Sequence, residues 1–216
     1  IFSVDKELKT KTRKRFIPKK YLLQFYNFDF KIPAHQRTQH LFFFSFFCGG
    51  INFVDMATLK NTDILNGYTK EGVEQKYFIY ERDKTHESIE IALNKDIEKQ
   101  IAFLKEHFLC MEGYLLPVVT VSNCGKVLYE HIIEKRKKFN KYLKKMAKIM
   151  EFPEGLEGLS TYFARHSFAM TLFNKTKSID IVSAGLHHAS TETTKIYLEG
   201  FGKDEIAEMT DGLLVS

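Results

Sequence analysis

The chain has 216 residues, enough for one well-buried domain, with 44% apolar and 27% charged residues, ordinary shares for a globular protein. Its three cysteines, Cys48, Cys110 and Cys124, lie far apart with no CxxC pair, which argues against a disulfide scaffold or a cysteine zinc site and for a reducing compartment. The formal net charge is +5, concentrated in Lys6–Lys20, where Glu7 is the only acid, and again from Lys135 to Lys148. Such charge either solvates a polar face or attracts a phosphate backbone by releasing counterions.

In chain order, residues 1–17 open without a methionine in a polar, basic stretch and read as a linker from a preceding segment. Pro18 suits a first helical turn, and Lys19 to Asp29 is predicted as that helix. Ala34 to Cys48 reads as a second, largely buried helix, because Gly49-Gly50 stop it and its last turns are nearly all aromatic. Its apolar run is far short of the roughly 20 residues that span a bilayer, and no charged-then-apolar leader marks a signal peptide. Asp55 to Leu59 is expected as a short helix beyond the glycines. Tyr77–Arg82 and Ser88–Leu93 are rich in β-branched or aromatic residues and predict two strands, with Asp83–Glu87 as the turn between them. Asn94 is a good cap for a helix in which Ile97, Ile101, Leu104 and Phe108 form one apolar stripe. Val127–Met150 predicts a long helix with Ile132, Phe139, Leu143, Met146 and Met150 inward and Lys137, Lys141, Lys144, Lys145 and Lys148 around its other side. Three further helices, Leu159–Phe173, Ile179–Leu186 and Thr191–Leu198, complete an α+β chain that is mainly α, with a small antiparallel sheet.

The residues that could carry chemistry lie between Thr161 and Tyr197. Arg165 sits on an otherwise apolar helix and needs a partner, since an unpaired buried charge is very costly. That partner is either an acid elsewhere in the chain or a phosphate, whose oxygens the planar guanidinium fork matches two at a time. The adjacent His187 and His188 suggest a metal only weakly, because neighbours on a helix point about 100° apart. Tyr197, on a helix with Ser190 or Thr191 as cap, is either a packing residue or a nucleophile whose phenolate a positive cluster stabilises.

Taken together, Arg165-His166-Ser167-Phe168-Ala169, Leu186-His187-His188 and Thr193-Thr194-Lys195-Ile196-Tyr197 resemble the two C-terminal boxes of the tyrosine recombinase (phage integrase) family, roughly HxxRHxFAT and LGHxxxxTTxxY. The interval of nine residues from His188 to Tyr197 matches the family pattern. Asp83-Lys84-Thr85 is similar to the family's hairpin lysine segment, with Leu93 ending the hairpin. Gly50-Ile51-Asn52-Phe53-Val54-Asp55-Met56 resembles the first box, GLRxSEL, in wording most similar to integrases of Bacteroides-type mobile elements.

The resemblance implies a tyrosine recombinase catalytic fold and a site-specific DNA recombinase that cuts and rejoins DNA through a 3′-phosphotyrosyl intermediate, with no metal or other cofactor. Its catalytic residues would be Tyr197 as nucleophile, Arg165 as phosphate clamp, Lys84 as general acid to the departing 5′-oxygen and His188 as a phosphate hydrogen-bonding group. Two departures stand out: the first-box arginine falls on Asn52, with Gly49 at the position where related sequences place an arginine, and the histidine of HxxR falls on Tyr162. Asn52, Tyr162, His166 and Asp55 are therefore supporting candidates, His166 as a structural residue. Arg82, Lys60 and Arg37 are the basic residues expected to compensate, and with Lys141 they are the candidates for contact with DNA backbone. The implied organisation is a basic linker over residues 1–17 from an N-terminal core-binding domain, a catalytic domain over 18–202 and a tail over 203–216 that docks on its own domain or a neighbouring protomer. The implied partner is double-stranded DNA, bound by four protomers that are monomers when free, in the bacterial cytoplasm at the nucleoid and away from any membrane. The alternative is a catalytically impaired DNA-binding accessory protein of a mobile element.

Overall fold

The computed structural model of the chain describes residues 16–122, 124–188 and 191–198, with residues 196–198 described by their backbone alone. Eight α-helices and one three-stranded sheet are found among them: α1 (Lys19–Asn27), α2 (Pro33–Phe47), α3 (Phe53–Thr58), β1 (Ile64–Tyr68), β2 (Glu74–Glu81), β3 (Ser88–Ala92), α4 (Lys95–His107), α5 (Gly125–Ile149), α6 (Thr161–Thr176), α7 (Ile179–Gly185) and α8 (Thr191–Leu198). The linker 1–15, the tail 203–216 and the cap position Ser190 lie outside the described residues.

Helix α2 is the hub. Its second half, residues 41–47, is apolar nearly all round, so it is stable only when surrounded, and the helix packs against α1, α4, α5 and α6. Phe42 and Phe44 are fully buried along it, and Phe42 and Phe43 meet Phe25 of α1 at ring-centroid distances of 5.2 Å each. Tilted and edge-on ring pairs of this kind gain a quadrupole attraction beyond their buried area. Pro33 starts the helix, where its missing N–H costs nothing. It ends at two glycines with φ of +68° and +70°, and Gly50 N–H donates back to Ser45 O at 2.7 Å. Asn52 then caps α3 by accepting from Val54 N–H at 3.1 Å.

The sheet is an antiparallel meander in the order β1-β2-β3, with Tyr68 opposite Glu74 and Glu81 opposite Ser88. The sequence predicts β2 and β3 but not β1, and the sheet has three strands rather than two. Ile-Leu-Asn-Gly-Tyr carries two poor strand formers and shows no alternation of burial, so its extended state comes from pairing with β2. Phe78 of β2 points inward onto Phe44, at 5.8 Å between ring centroids, which ties the hairpin to the hub.

Asn94 caps α4 through Asp96 N–H and Ile97 N–H, both at 3.0 Å, and Ile97, Ile101 and Leu104 are buried. On α5 the stripe of Ile132, Phe139, Leu143 and Met146 is buried, while Lys137, Lys141, Lys144, Lys145 and Lys148 are exposed. Helix α6 runs to Thr176, beyond the predicted Phe173, and stops where Lys177 turns left-handed. Ile17, placed by sequence in the linker, is buried, and its N–H donates to Ser167 Oγ of α6 at 2.9 Å. No helix among the described residues is long and apolar enough to cross a membrane.

Candidate active site

The ends of α2, α3, α6 and α7 meet the tip of the β2–β3 hairpin around a cleft of about 330 Å³. Arg165 enters it from the second turn of α6. Its Nη1 donates to Gly49 O and Gly50 O at 3.3 Å each, and its Nη2 donates to Leu186 O at 2.7 Å. These acceptors are carbonyls at the C-terminal ends of two helices, where acceptors are left over and the helix dipole is negative. This contact explains the two glycines. A Cβ on Gly50 would lie 2.3 Å from Arg165 Cα, and one on Gly49 would lie 2.4 Å from Gly185 O, so no side chain fits at either position. Position 49 therefore has no room for an arginine.

The turn after α7 closes by His187 N–H to Ala184 O and His188 N–H to Ser183 O, both at 3.0 Å, with His187 at φ +51°. His187 thus holds a left-handed conformation that glycine adopts more freely than histidine. The turn leaves consecutive carbonyls facing the cleft: Leu186 O accepts from Arg165, and His187 O accepts from Arg82 Nη1 at 3.2 Å. Arg82, just past the end of β2, is only 17% exposed in its side chain and also reaches Glu87 Oε2 at 3.4 Å.

Asp55 is buried on α3, and its Oδ1 accepts from Asp83 N–H at 3.0 Å, pinning the hairpin tip. Burial pushes its carboxyl above the usual range, against the opposing pull of that N–H and of Arg82 and Arg165. Lys84, one residue further along the tip, is exposed and lines the cleft. His188 lines it too, and its Nδ1 pairs with Thr194 Oγ1 of α8 at 2.8 Å. Burial first, then Arg165, Arg82 and His187, push the His188 ring down to about 4, so it is neutral at pH 7. Burial and the same two arginines lower His187.

Of the remaining candidates, Asn52 and Tyr162 line the cleft, Asn52 with its side chain serving as the α3 cap. His166 does not line it; its ring lies 6.5 Å from that of Tyr162. Three basic candidates do not converge. Lys60 sits over the Tyr114 ring, Arg37 lies 5.8 Å from the Phe108 ring, and Lys141 is exposed on α5. Tyr197 lies on α8 one turn beyond Thr193, which lines the cleft; its side chain is outside the described residues. Arg136 of α5 also lines the cleft and was not singled out from sequence. The signal was there: it falls between Ile132 and Phe139 on the buried stripe, where a charge needs a reason.

A cleft edged by Arg82, Arg136, Arg165 and Lys84 is built to hold an anion, and planar guanidinium groups suit the oxygens of a phosphate. Solved structures share the architecture. The XerH site-specific recombinase, solved bound to its difH substrate in a pre-cleavage complex, aligns with a TM-score of 0.61 at 18% identity, over 94% of this chain and 55% of that one. The Tn1549 transposon integrase, in complex with a circular intermediate DNA, aligns with a TM-score of 0.56 at 15% identity, over 95% of this chain and 67% of that one. The fold is that of the tyrosine recombinase catalytic domain. The XerA recombinase aligns likewise, with a TM-score of 0.60 at 14% identity, over 91% of this chain and 62% of that one. The chain thus spans little more than half the length of the XerH recombinase. No protein-family model matches the chain, nor does any curated protein. Within this recombinase fold, Arg165, Lys84 and His188 converge on one cleft from three separate stretches of sequence, and α8 borders it through Thr193 and Thr194.

Proposed function

We propose that the chain is the catalytic part of a site-specific DNA recombinase or integrase. The observation that carries this reading is the convergence of Arg165, Lys84 and His188 in one cationic cleft bordered by α8, the helix that bears Tyr197. The Tyr197 phenol oxygen, its proton passing to water, attacks a phosphodiester phosphorus, and the bond from phosphorus to the 5′-oxygen breaks. Lys84 protonates the departing 5′-oxygen, and the products are a 3′-phosphotyrosyl bond and a free 5′-hydroxyl. Arg165 neutralises non-bridging oxygens as charge builds on the phosphorane, and His188, neutral, hydrogen-bonds the phosphate. The linkage keeps the phosphodiester energy, so attack by a second 5′-hydroxyl rejoins the strand. Double-stranded DNA is the substrate, and four protomers on two sites, monomeric when free, exchange strands in the bacterial cytoplasm. Residues 1–17 lead from a further DNA-binding domain, the tail 203–216 docks on a neighbouring protomer, and the first-box wording favours an integrase of a Bacteroides-type mobile element.

Asn52 and Tyr162 favour a second reading, an impaired DNA-binding accessory protein. Incubation with a library of nicked duplexes of randomised sequence, followed by SDS and sequencing of trapped DNA, separates the two. The expected result is an SDS-resistant adduct that Tyr197→Phe abolishes. A protein that retains duplexes but traps none, even with Asn52→Arg, is the accessory protein instead.

A further inference from the structure

We infer that Arg82 is a second phosphate-binding residue of the cleft and acts beside Arg165 on the same phosphodiester. The inference rests on the reading of the cleft as a phosphodiester site. The segment joining α2 to α3 offers no cation there. Asn52 is neutral and occupied as a helix cap, Gly50 is pressed against Arg165, and Gly49 has no room for a side chain. Arg82 reaches the same place from the hairpin. Its guanidinium and that of Arg165 are held by consecutive carbonyls of one turn, His187 O at 3.2 Å and Leu186 O at 2.7 Å, so both are set against the same few atoms of backbone.

Asp55 faces both guanidinium groups and Glu87 reaches Arg82, and they offset part of this charge. Asp55 gives an oxygen to Asp83 N–H, and the contact to Glu87 is long, at 3.4 Å, with a half-exposed partner. Two guanidinium groups held on consecutive carbonyls of one turn, one of them largely shielded from water, attract an anion more strongly than either does alone. A phosphodiester carries one negative charge and two non-bridging oxygens, and the pentacoordinate state adds a second charge, which a pair of arginines stabilises more than one can. The position of Arg82 adds a further effect. It lies two residues before Lys84, so an anion gripped by Arg82 also fixes the tip that carries the general acid.

Two measurements test this separately from the Tyr197 chemistry. The first follows side-chain Nε–H signals of arginine by NMR while inorganic phosphate is added. The Arg82 and Arg165 signals are expected to move together with one dissociation constant. Arg82→Ala should weaken phosphate at least about tenfold, the loss of a charge-assisted contact, and Arg82→Lys less, with the melting temperature confirming that each variant is folded. An Arg165 signal that titrates unchanged in Arg82→Ala, or an Arg82 signal that never moves, overturns the proposal whatever the adduct assay shows. The second uses a nicked duplex that wild type traps. Arg82→Ala should slow adduct formation by roughly 10²–10³, and a methylphosphonate at the scissile position, which lacks one negative oxygen, should restore most of that rate. A purely structural tether would slow both substrates alike, and that result would also sink the idea. Wild-type protein that binds phosphate through both arginines yet traps no DNA would reject the nucleophile assignment while leaving Arg82 as a phosphate ligand.

Discussion

His188 is a poor proton acceptor because burial and two guanidinium groups act on it together, and its pKa drops from 6.5 to about 4. The same ring in an unfolded chain takes up a proton near pH 6.5. Below that pH the unfolded state binds more protons than the folded one, so stability falls with acidification until about pH 4, where the folded ring also titrates. Denaturant unfolding at pH 4 to 7 is expected to show this decline, and His188→Gln, which keeps a hydrogen-bonding side chain but cannot titrate, should flatten part of it. Lowered His35, His40, His131 and His187 act in the same direction, and the raised carboxyl of Asp55 acts in the opposite one. A slope unchanged in His188→Gln would mean that the ring is less perturbed than its surroundings imply. At this scale the sequence was informative for Arg165, Lys84 and His188, which stand in recognisable boxes. It was silent on their partners, since the carbonyls of Gly49, Gly50, Leu186 and His187 belong to backbone that any sequence carries.

The hairpin is held to the helical body at two points, Phe78 in the core and Asp55 at the tip. Asp55→Ala leaves Asp83 N–H without its acceptor and removes the negative charge that faces Arg82 and Arg165. The expected cost is about 1 kcal/mol, the usual net worth of a part-buried hydrogen bond whose donor water can reach. Hydrogen exchange should rise at residues 83–87 while the β2–β3 ladder stays protected, because Phe78 still anchors the strand. Uniform loosening of the whole sheet would show instead that Asp55 supports the strands and not their tip. Helices α4 and α5 were legible because a cap or an apolar stripe marks them locally. Strand β1 was not, because only its pairing with β2 makes Ile64–Tyr68 extended.

One core links α1 through α6, and the cleft opens at the end of its central helix. Phe42, fully buried in α2, touches rings on either side, with Phe25 at 5.2 Å and Phe43 at 5.4 Å. Phe42→Ala deletes a large side chain where neighbours from several elements cannot all close in, and a loss of about 3–5 kcal/mol is expected. Unfolding should remain a single transition with a lower midpoint. Phosphate affinity below that midpoint should be unchanged, since the cleft is built from helix ends and not from the ring cluster. Two separate transitions would mean that the hairpin and the helices do not share one core.

What the sequence determined by itself was set by short-range rules: the helix stripes, the cap at Asn94, the stop at Gly49-Gly50, and the residue types Arg165, Lys84 and His188 at their spacings. What only the tertiary structure decided was which charges meet. Arg82, Lys60 and Arg37 are equivalent as letters, yet Arg82 alone among them lines the cleft, because the hairpin carries it to the turn after α7 while the other two lie against the rings of Tyr114 and Phe108. Arg136 arrives from α5 in the same way. Local pattern reports the free energy of a segment on its own, whereas a charge in a cleft is placed by contacts between segments about a hundred residues apart, such as Arg82 with His187 and Arg165 with Gly50.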